Sequence, residues 1–510
     1  QGSHFGTSRR GRNMARSLAR GSGNHLETEH ADGCTAAASD APAYAFRELA
    51  SESADQFRLA WPICFGFFCN RFVSVCSTVI VGREGATELA AVGLSVSLAN
   101  VTGYSILVGV ATTLQTTTGQ AFGARDWTEV SLSVQRCAVL CGLLLCGIGA
   151  LWFNIKTILI AAGQPHDVAD LAAQYLLRLY PGVCCYMVTQ VLQAWLAAQR
   201  VTSPAATGGM INAICYLPLC WSLVHPLGFG FVGAAIATSL ANGFLASWMI
   251  YKTRTFLRTD LCHSWQGFSK LTFTKWCSFL RLALPNFLMI SEWWASEITV
   301  LLAGLLPRPH LSLSALALMT STTSICFMPP LSLGIAVNIR VSNELGAGRP
   351  MLAKRAACAA CVAGLVIITT SSLLLLICRR WWALLFTSDA AVLDHVMPVL
   401  SVCSFYVVFD GLASVISGSL KGCGRHAVLA PIIVVAYYIV GLPLSWLLAW
   451  PRHLDTLGLA WGSAIGTFTH CALFAVLLAT TSWPLMCQRA QARLQAKPLL
   501  PETTPDADAA

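Results

Sequence analysis

Charged residues are scarce in this sequence. Asp, Glu, Lys and Arg make up 11% of its 510 residues, whereas hydrophobic residues make up 55% and the mean hydropathy is +0.62. A soluble chain of this length needs a charged surface, and so few charges do not cover one. The composition therefore excludes a soluble protein and indicates a membrane protein that crosses the bilayer many times.

Signals of several other classes are also missing. The chain has no apolar stretch near its start, so we expect no cleavable signal peptide. It has no HExxH motif, no pair of histidines within an apolar run and no serine arrangement typical of a hydrolase. We therefore expect no enzyme, no catalytic residue, no metal and no cofactor. The net charge of +9 fits membrane orientation and gives no reason to expect nucleic acid as a partner.

Two short motifs resemble cofactor or metal sites but stand in the wrong context. Gly228–Gly233 reads GFGFVG and fits the GxGxxG pattern, yet no βαβ unit surrounds it, so it predicts a turn. Cys358 and Cys361 have CxxC spacing inside an apolar run. Since the 21 cysteines are scattered along such runs, we interpret them as small packing residues.

Apolar runs of about 20 residues, long enough to cross a bilayer as helices, recur along the chain and predict twelve transmembrane helices. They lie near residues 58–82, 89–114, 132–154, 171–195, 204–225, 231–251, 279–305, 311–339, 356–378, 392–418, 427–450 and 458–482. The polar composition of both ends predicts disorder there. We therefore divide the chain into a disordered N-terminal tail, an N-lobe of six helices, an inter-lobe linker, a C-lobe of six helices and a disordered C-terminal tail: 1–52, 53–255, 256–278, 279–485 and 486–510.

Lysines and arginines are unevenly shared between the predicted loops. Loops after the even-numbered runs hold more than twice as many as loops after the odd-numbered runs, and both tails are also rich in them. The positive-inside rule then places the even-numbered loops, the linker and both termini in the cytoplasm. The pattern fits the plasma membrane and a vacuolar or other internal membrane equally well.

The two halves of the chain resemble each other. Leu59–Pro62 reads LAWP and Leu282–Pro285 reads LALP, each at the start of a run. Three residues of the first half recur in the second at a constant offset of 225: Pro218, Trp221 and Pro226 match Pro443, Trp446 and Pro451. Because each unit holds an even number of spans, both enter the membrane in the same orientation. Two like-oriented, pseudo-symmetric six-helix bundles enclose a central cleft, which favours a carrier.

Three carboxylates lie inside apolar runs of the second half. Glu292 and Glu297 are five residues apart, or about 140° around a helix, so we expect one to face the cleft and the other the interior of its bundle. Asp410 lies on the tenth run, one turn after Tyr406 on the same face. A charged side chain at mid-bilayer costs roughly 2.5–3.5 kcal/mol, so such residues mark cavities, pairs or ion sites.

The first half offers different chemistry. The repeat places Cys69 opposite Glu292, and the ionisable residue in the middle of the first run is Arg71, beside Asn70. Other polar or aromatic side chains are candidates for lining the substrate cavity, unless they bond between helices or face lipid. Together with Asn70 and Arg71, these candidates are Gln115, Gln193, Asn212, Trp293, Tyr406 and Tyr437.

The sheltered acids indicate an antiporter. A carboxylate shielded from water takes up a proton more readily than an exposed one, and a cationic substrate or Na⁺ competes with that proton for the same charge. The alternative is that Glu292, Glu297 and Asp410 are paired structural groups, with Arg71 as the obvious partner.

Five motifs spread over both halves resemble the multidrug and toxic compound extrusion (MATE) family, in particular its plant and animal members. They are GVATTLQTTTGQAFGA (109–124), SEWWASE (291–297), RVSNELGAGRP (340–350), FDGLASVISGSLKGCGR (409–425) and AYYIVGLPLSW (436–446). The resemblance covers roughly residues 50–485. It implies an all-α protein of twelve transmembrane helices in two six-helix lobes, with V-shaped alternating access.

The resemblance also implies a function. Eukaryotic members of this family look like proton-coupled exporters of organic cations, alkaloids, flavonoid-type metabolites and drugs or, in some cases, citrate. The family's coupling acids in spans 7 and 10 match Glu292, Glu297 and Asp410, and Tyr406 matches a tyrosine that precedes the span-10 acid in some members. We therefore expect a monomeric antiporter, embedded in a lipid bilayer, that exchanges small organic molecules for H⁺.

The sequence departs from the family pattern at three positions. Gln115 replaces an acid typical of plant members, Ser321 aligns with a span-8 acid of animal members, and Arg71 stands where the family usually has an uncharged residue. A cation in the cleft favours anionic or neutral substrates. Two further alternatives are Na⁺ coupling and, as in related superfamily members, a flippase for lipid-linked molecules.

Overall fold

The computed structural model describes residues 37–81, 86–161, 163–387 and 389–495. The chain divides into two units between Glu48 and Leu49: the first is described only as the helical residues 37–48, and the second contains the remaining described residues. Within the described residues the chain consists of helices joined by turns, without a strand. The expected all-α fold class is confirmed.

The N-lobe is built from nine helical segments that make up six spans. They are α1 (Ala37–Val81), α2 (Ala86–Ala99), α3 (Ser105–Ala111), α4 (Thr113–Gly123), α5 (Trp127–Phe153), α6 (Ile155–Ala161), α7 (His166–Ala198), α8 (Ser203–Val224) and α9 (Phe231–Arg258). A π-helical turn, Asn100–Tyr104, joins α2 to α3, so that α2–α4 together form the second span. Large apolar side chains inside this lobe, including Trp152 and Trp195, form one continuous core.

The C-lobe repeats this arrangement. Its helices are α10 (Trp276–Leu288), α11 (Ser291–Ala303), α12 (Pro309–Gly346), α13 (Pro350–Leu384), α14 (Ala390–Gly422), α15 (His426–Val434), α16 (Leu442–Ala449), α17 (Asp455–Ala479) and α18 (Trp483–Gln495). A second π-helical turn, Val435–Gly441, joins α15 to α16 in the eleventh span. A short 3₁₀ helix, Lys270–Phe273, precedes the lobe.

Ten helices among the described residues are long and apolar enough to cross a membrane. The two remaining spans of the twelve-helix arrangement are less apolar or shorter than these ten. The fourth span, α7, carries charged residues such as Asp170 and Arg178. The seventh is divided into α10 and α11, each of 13 residues. Pro285, near the end of α10, lacks the backbone N–H that a continuous helix would use there.

The two lobes cross closely where α4 meets α12. Gly123 lies against the backbone of Asn343, and Gly346 lies against the backbone of Gln120. A side chain at either glycine would collide with the facing main chain, so the paired GQAFG and NELGAG motifs allow the two helices to touch. This crossing lies at the end of the lobes that we expect to face the cytoplasm.

The boundaries of both expected tails differ from the observed helix ends. Helix α1 begins at Ala37, inside the tail 1–52 expected to be disordered, because the Ala-rich stretch before the first span continues the helix. Helix α18 extends to Gln495, inside the expected tail 486–510, because its apolar face packs on the C-lobe through Met486 and Cys487. Residues 1–36 and 496–510 lie outside the described residues.

The inter-lobe linker, expected over 256–278, is shorter and well anchored. It runs from the end of α9 to the start of α10 and bonds to the first turns of α5. The Gln135 side chain donates to the Gly267 carbonyl at 2.8 Å and accepts from the Thr272 hydroxyl at 2.6 Å, and Arg136 Nε donates to the Thr274 carbonyl at 3.0 Å. The linker therefore belongs structurally to the N-lobe.

Candidate functional site

Glu292 lies in the first turn of α11, half-buried and turned toward the eleventh span. The Tyr437 hydroxyl donates to Glu292 Oε1 at 2.7 Å. Tyr437 belongs to the π-helical turn, and the extra residue in such a turn reorients the side chains around it. As a result Tyr437 points into the lobe, while the adjacent Tyr438 donates to the Ser291 carbonyl at 2.8 Å. Both tyrosines therefore hold the start of α11.

His470 and Thr467, on the twelfth span, complete this network. The Tyr437 hydroxyl lies 3.2 Å from His470 Nδ1 and accepts from the Thr467 hydroxyl at 3.3 Å. His470 Nδ1 is 3.9 Å from Glu292 Oε1. Because Tyr437 gives its only proton to Glu292, its oxygen accepts from His470 if the imidazole carries its proton on Nδ1. Nothing in the described structure bonds to His470 Nε2.

Asp410 lies deeper in the same lobe, on α14, with only 7% of its surface exposed. Within the described part of the chain its carboxylate has no hydrogen-bond or ion-pair partner. Its charge and that of Glu292 are close enough to repel each other. Burying an unpaired carboxylate is costly, and a bound proton removes that cost.

A small cavity lies beside Tyr406 and Tyr437. Its volume is about 20 Å³, and its walls include Tyr406, Tyr437, Thr299 and Ser463. Such a volume holds one water molecule, and hydroxyl groups line it. Tyr406 and Tyr437 therefore share this space, and Glu292 connects to it through its hydrogen bond from Tyr437. We call Glu292, Tyr406, Asp410, Tyr437, Thr467 and His470 the C-lobe acid site.

The second glutamate of α11 points elsewhere. Glu297 is exposed and has no hydrogen-bond or ion-pair partner in the described chain. Trp293, one turn before it, is 47% exposed. The two glutamates of the SEWWASE motif therefore face different surroundings, Glu292 inside the bundle and Glu297 at its surface.

The N-lobe candidates are spread out and do not form one cluster. Asn70 is exposed, Arg71 and Gln193 are partly exposed, and Asn212 is buried. Arg71 forms no ion pair or hydrogen bond with any described residue. It is therefore not the structural partner of the C-lobe acids in this structure.

Gln115 belongs to the contact between the lobes. Its side-chain oxygen accepts from Asn338 Nδ2 at 3.0 Å, and its backbone carbonyl accepts from the Ser342 hydroxyl at 3.0 Å. Nearby, Gln120 Nε2 donates to the Gly422 carbonyl at 2.9 Å. Gln115 therefore closes the crossing of α4 and α12 in this state instead of lining an open cavity.

A group of charged side chains lies next to this crossing of α4 and α12. We call it the inter-lobe charge cluster, and its members are Glu52, Arg200, Arg340, Glu344 and Arg349. Arg340 of the C-lobe binds both carboxylate oxygens of Glu52 at 2.8 and 2.5 Å. Glu344 of the C-lobe contacts Arg200 of the N-lobe at 3.5 Å. Burial and the nearby Arg340 lower the pKa of Arg200, and Glu344 opposes this shift. The cluster thus joins the lobes through two cross-lobe ion pairs.

Two like-oriented six-helix lobes, joined at one end and holding buried acids in one lobe, define a two-lobed membrane transporter. The MatE family profile matches residues 62–222 and 286–447, one match in each half. The chain belongs to this family of multidrug and toxic-compound efflux transporters.

Plant relatives resemble the chain over most of its length. It is 33% identical over 446 residues to Protein DETOXIFICATION 12 of Arabidopsis thaliana, covering 85% of this chain and 90% of the relative. It is 33% identical over 432 residues to Protein DETOXIFICATION 16 of the same plant, covering 84% and 87%. The eukaryotic and plant-like character expected from the motifs is confirmed.

Solved structures agree with the fold. The crystal structure of the eukaryotic MATE transporter AtDTX14 superimposes with a TM-score of 0.82 at 30% identity, covering 88% of this chain and 99% of that one. A Vibrio cholerae MATE transporter, VcmN, superimposes with a TM-score of 0.77 at 18% identity, covering 86% and 99%. At that lower identity the likeness supports the fold alone.

Proposed function

We propose that this transporter is a secondary antiporter that exports small organic compounds in exchange for protons by alternating access. Xenobiotics and secondary metabolites are the substrate class we expect, exported from the cytoplasm across the plasma membrane or into a vacuole. The protein acts as a monomer, with both termini in the cytoplasm. Its coupling residues are Asp410 and Glu292, and Glu297 has a smaller role.

The observation that carries this proposal is the environment of Asp410. This carboxylate is buried among helices of one lobe, lacks a partner in the described chain and lies near a second half-buried acid, Glu292. A pair of permanently charged acids at that depth would be costly. A site that gains and loses a proton during each cycle avoids that cost for part of the cycle, and this is what coupling requires.

The surrounding hydroxyls supply a route for the proton. Tyr437 connects Glu292 to His470 within hydrogen-bond distance, and Tyr437 and Tyr406 both line the 20 Å³ cavity. When Glu292 gains a proton, the bond from Tyr437 loses its charged acceptor and weakens. Since Tyr437 and Tyr438 both hold the start of α11, this weakening changes the packing of the seventh span and loosens a bound substrate.

The inter-lobe charge cluster supplies the second requirement, two alternative states. It closes the end of the lobes that we expect to face the cytoplasm, so we interpret this structure as a state closed to the cytoplasm. Access from the cytoplasm requires Glu52 to separate from Arg340 and Arg200 from Glu344. Protonation of the C-lobe acid site biases which of the two states is populated.

Ion gradients imposed on proteoliposomes test the proposal. We expect an inward pH gradient alone to drive substrate efflux, and an equal Na⁺ gradient at constant pH to drive none. Efflux under Na⁺ alone would replace the proton with Na⁺ as coupling ion. If a fluorescent phospholipid moved between leaflets while organic compounds did not, the chain would instead be a flippase.

A further inference from the structure

The face of α1 that touches the C-lobe continues outward as a polar stripe. At the foot of the helix, Leu59 and Ala60 pack against Ala336 and Ile339 of α12. Successive residues of a helix are 100° apart around its axis. Further along α1, three exposed polar side chains lie within about 50° of the direction in which Leu59 and Ala60 point. They are Asn70, Ser74 and Thr78, which we call the outer polar stripe.

A different face of the same helix meets lipid. Large apolar side chains recur there at helical spacing, and all are exposed in the protein alone: Phe57, Trp61, Phe68, Phe72, Val75 and Val79. Exposed polar groups within a membrane span face a water-filled cavity or protein instead of lipid. The outer polar stripe therefore forms a wall of the cleft between the lobes.

Arg71 lies at the edge between these two faces. A guanidinium is costly in lipid, so the polar side is the favourable direction for this side chain. It has no ion pair there among the described residues. Helix α12, which faces α1 across the contact, supplies no counter-ion because it contains no Asp or Glu from Pro309 through Ile339. The cleft therefore presents an unpaired positive charge on one wall and hydroxyl and amide groups around it.

We propose that Arg71, with Asn70 and the outer polar stripe, binds the negative group of an organic anion, so that the preferred substrates carry one carboxylate, sulfate or sulfonate. A planar guanidinium donates two parallel hydrogen bonds to such a group. Asn70 and Ser74 of the stripe add neutral donors, whereas the Thr78 hydroxyl donates to the Ser74 carbonyl at 3.1 Å. This inference rests on the proposed antiport, and it names the substrate class.

The charge of the substrate sets the electrical behaviour of the cycle. Exporting a monoanion in exchange for one proton moves two elementary charges in the same sense, whereas exporting a monocation for one proton moves none. A membrane potential, negative inside, therefore accelerates export of the anion and leaves export of the cation unchanged.

Two probes of fixed charge test the proposal: 1-naphthalenesulfonate and (1-naphthylmethyl)trimethylammonium. Because neither probe titrates, a pH gradient does not redistribute them without the transporter. We expect wild-type proteoliposomes to export the sulfonate faster, and a valinomycin-clamped potential to accelerate that export. Preference for the ammonium probe, or export of the sulfonate insensitive to potential, would overturn the proposal.

Variants assign the effect to Arg71. We expect R71Q to slow sulfonate export about tenfold, the scale of a lost hydrogen bond to a charged group, without slowing the ammonium probe. R71K should keep part of the rate, which separates charge from folding. The control is R58Q, which removes an arginine with an 81% exposed side chain from the same helix. Equal sulfonate export by R71Q and wild type would contradict the proposal.

Binding separates this proposal from the antiport itself. If neither probe moves under a pH gradient, the antiport fails, and fluorescence titration of the sulfonate in nanodiscs still decides the site. There we expect R71Q to bind about tenfold more weakly than wild type, and equal affinities would refute it. An Arg71-dependent flip of a fluorescent anionic phospholipid, without sulfonate export, would assign the site to a lipid headgroup instead.

Discussion

The two lobes share one scaffold but differ in almost every residue of the C-lobe acid site. The offset of 225 pairs Asp410 with Cys185 and Tyr437 with Asn212. The repeat also pairs Glu292 with Cys69 and, through Gly462 and Gly233, His470 with Ala241. No position of the N-lobe that corresponds to these four residues carries a carboxylate, a phenol or an imidazole.

The N-lobe retains only the structural part of the arrangement. Thr467 corresponds to Thr238, which bonds at 3.1 Å to Tyr216, a buried tyrosine of the fifth span. In the C-lobe the equivalent threonine donates instead to the tyrosine that holds Glu292. The same inter-helix contact therefore packs one lobe and orients an acid in the other.

This difference shows how a duplicated bundle divides its tasks. Helix packing needs only small residues, prolines and glycines in corresponding places, and both halves keep these. Proton chemistry needs a few buried polar groups, each costly in a membrane, so one lobe carrying them is sufficient. The other lobe is then free to hold a fixed charge, Arg71, that would otherwise pair with the acids.

The substitution with the largest expected effect is Asp410→Asn. It removes the carboxylate, so that this position, like the corresponding Cys185 of the N-lobe, carries no acid. We expect proton-driven transport to fall about 100-fold, near the upper end of typical coupling energies. Thermal stability should not fall, because an unpaired buried charge is removed. Efflux from proteoliposomes and the melting temperature of the purified variant test this. Unchanged efflux would remove Asp410 from the coupling site.

A milder change removes only the hydroxyl that links the acid to the imidazole. Tyr437→Phe loses the bond to Glu292 and its contact with His470, each of about 1 kcal/mol. We expect proton-driven efflux to fall about tenfold. Tyr438→Phe is the matched control, since this phenol bonds only a backbone carbonyl. If both variants lost activity equally, the network through His470 would have no specific role.

The contact between the lobes can be weakened without touching either core. Glu52→Gln removes one charge of the bidentate pair with Arg340, and a lost charged hydrogen bond costs about 1.5–3 kcal/mol. We expect amide hydrogens near Asn338–Gly348 to exchange about tenfold faster or more. Hydrogen-exchange mass spectrometry measures this, with Asp55→Asn, from an exposed pair on the same helix, as control. Equal protection in the two variants would mean that the cluster does not hold the lobes together.

The smallest effect is expected for Glu297→Gln. This carboxylate is exposed and unpaired among the described residues, so its loss removes no contact that holds the C-lobe acid site. We expect proton-driven efflux to change by less than about threefold, within 1 kcal/mol. Initial rates over a range of substrate concentrations give this comparison. A loss as large as that of Asp410→Asn would place Glu297 among the essential acids.

Much of the fold was predictable from the sequence because its signals are local. Run lengths of about 20 apolar residues predict spans, and the paired prolines and glycines predict the repeat. The seventh span was harder to bound, since Pro285 divides it into two short helices. Helix α18 was missed as well, because its apolar face is apparent only when it packs against the C-lobe.

The candidate site was predictable only in part. Asp410, Glu292 and Tyr406 stand out as polar groups in apolar runs, as does His470, which is not among the predicted site residues. They come together only in the tertiary structure, where the seventh, tenth and twelfth spans pack with Tyr437 of the eleventh. Which of two adjacent tyrosines faces the acid depends on a π-helical turn that no local pattern predicts.

The inter-lobe charge cluster could not be predicted either, because its residues meet only in the tertiary structure. Arg340 is the first residue of the RVSNELGAGRP motif, and its partner Glu52 lies 288 residues away in the sequence. Glu52 also falls inside the segment expected to be disordered. Gln115 was a cavity candidate by composition, and the crossing of α4 and α12 gives it a different environment.

The most direct test of the central claim, that the C-lobe exchanges a proton for substrate, is the number of protons released when substrate binds. Binding and protonation are linked reciprocally, so the detergent-solubilised protein should release about one proton per bound substrate near neutral pH. Calorimetry in buffers of different ionisation enthalpy measures this number. We predict release by wild type and none by Asp410→Asn. No release by wild type, or equal release by both proteins, would contradict the account.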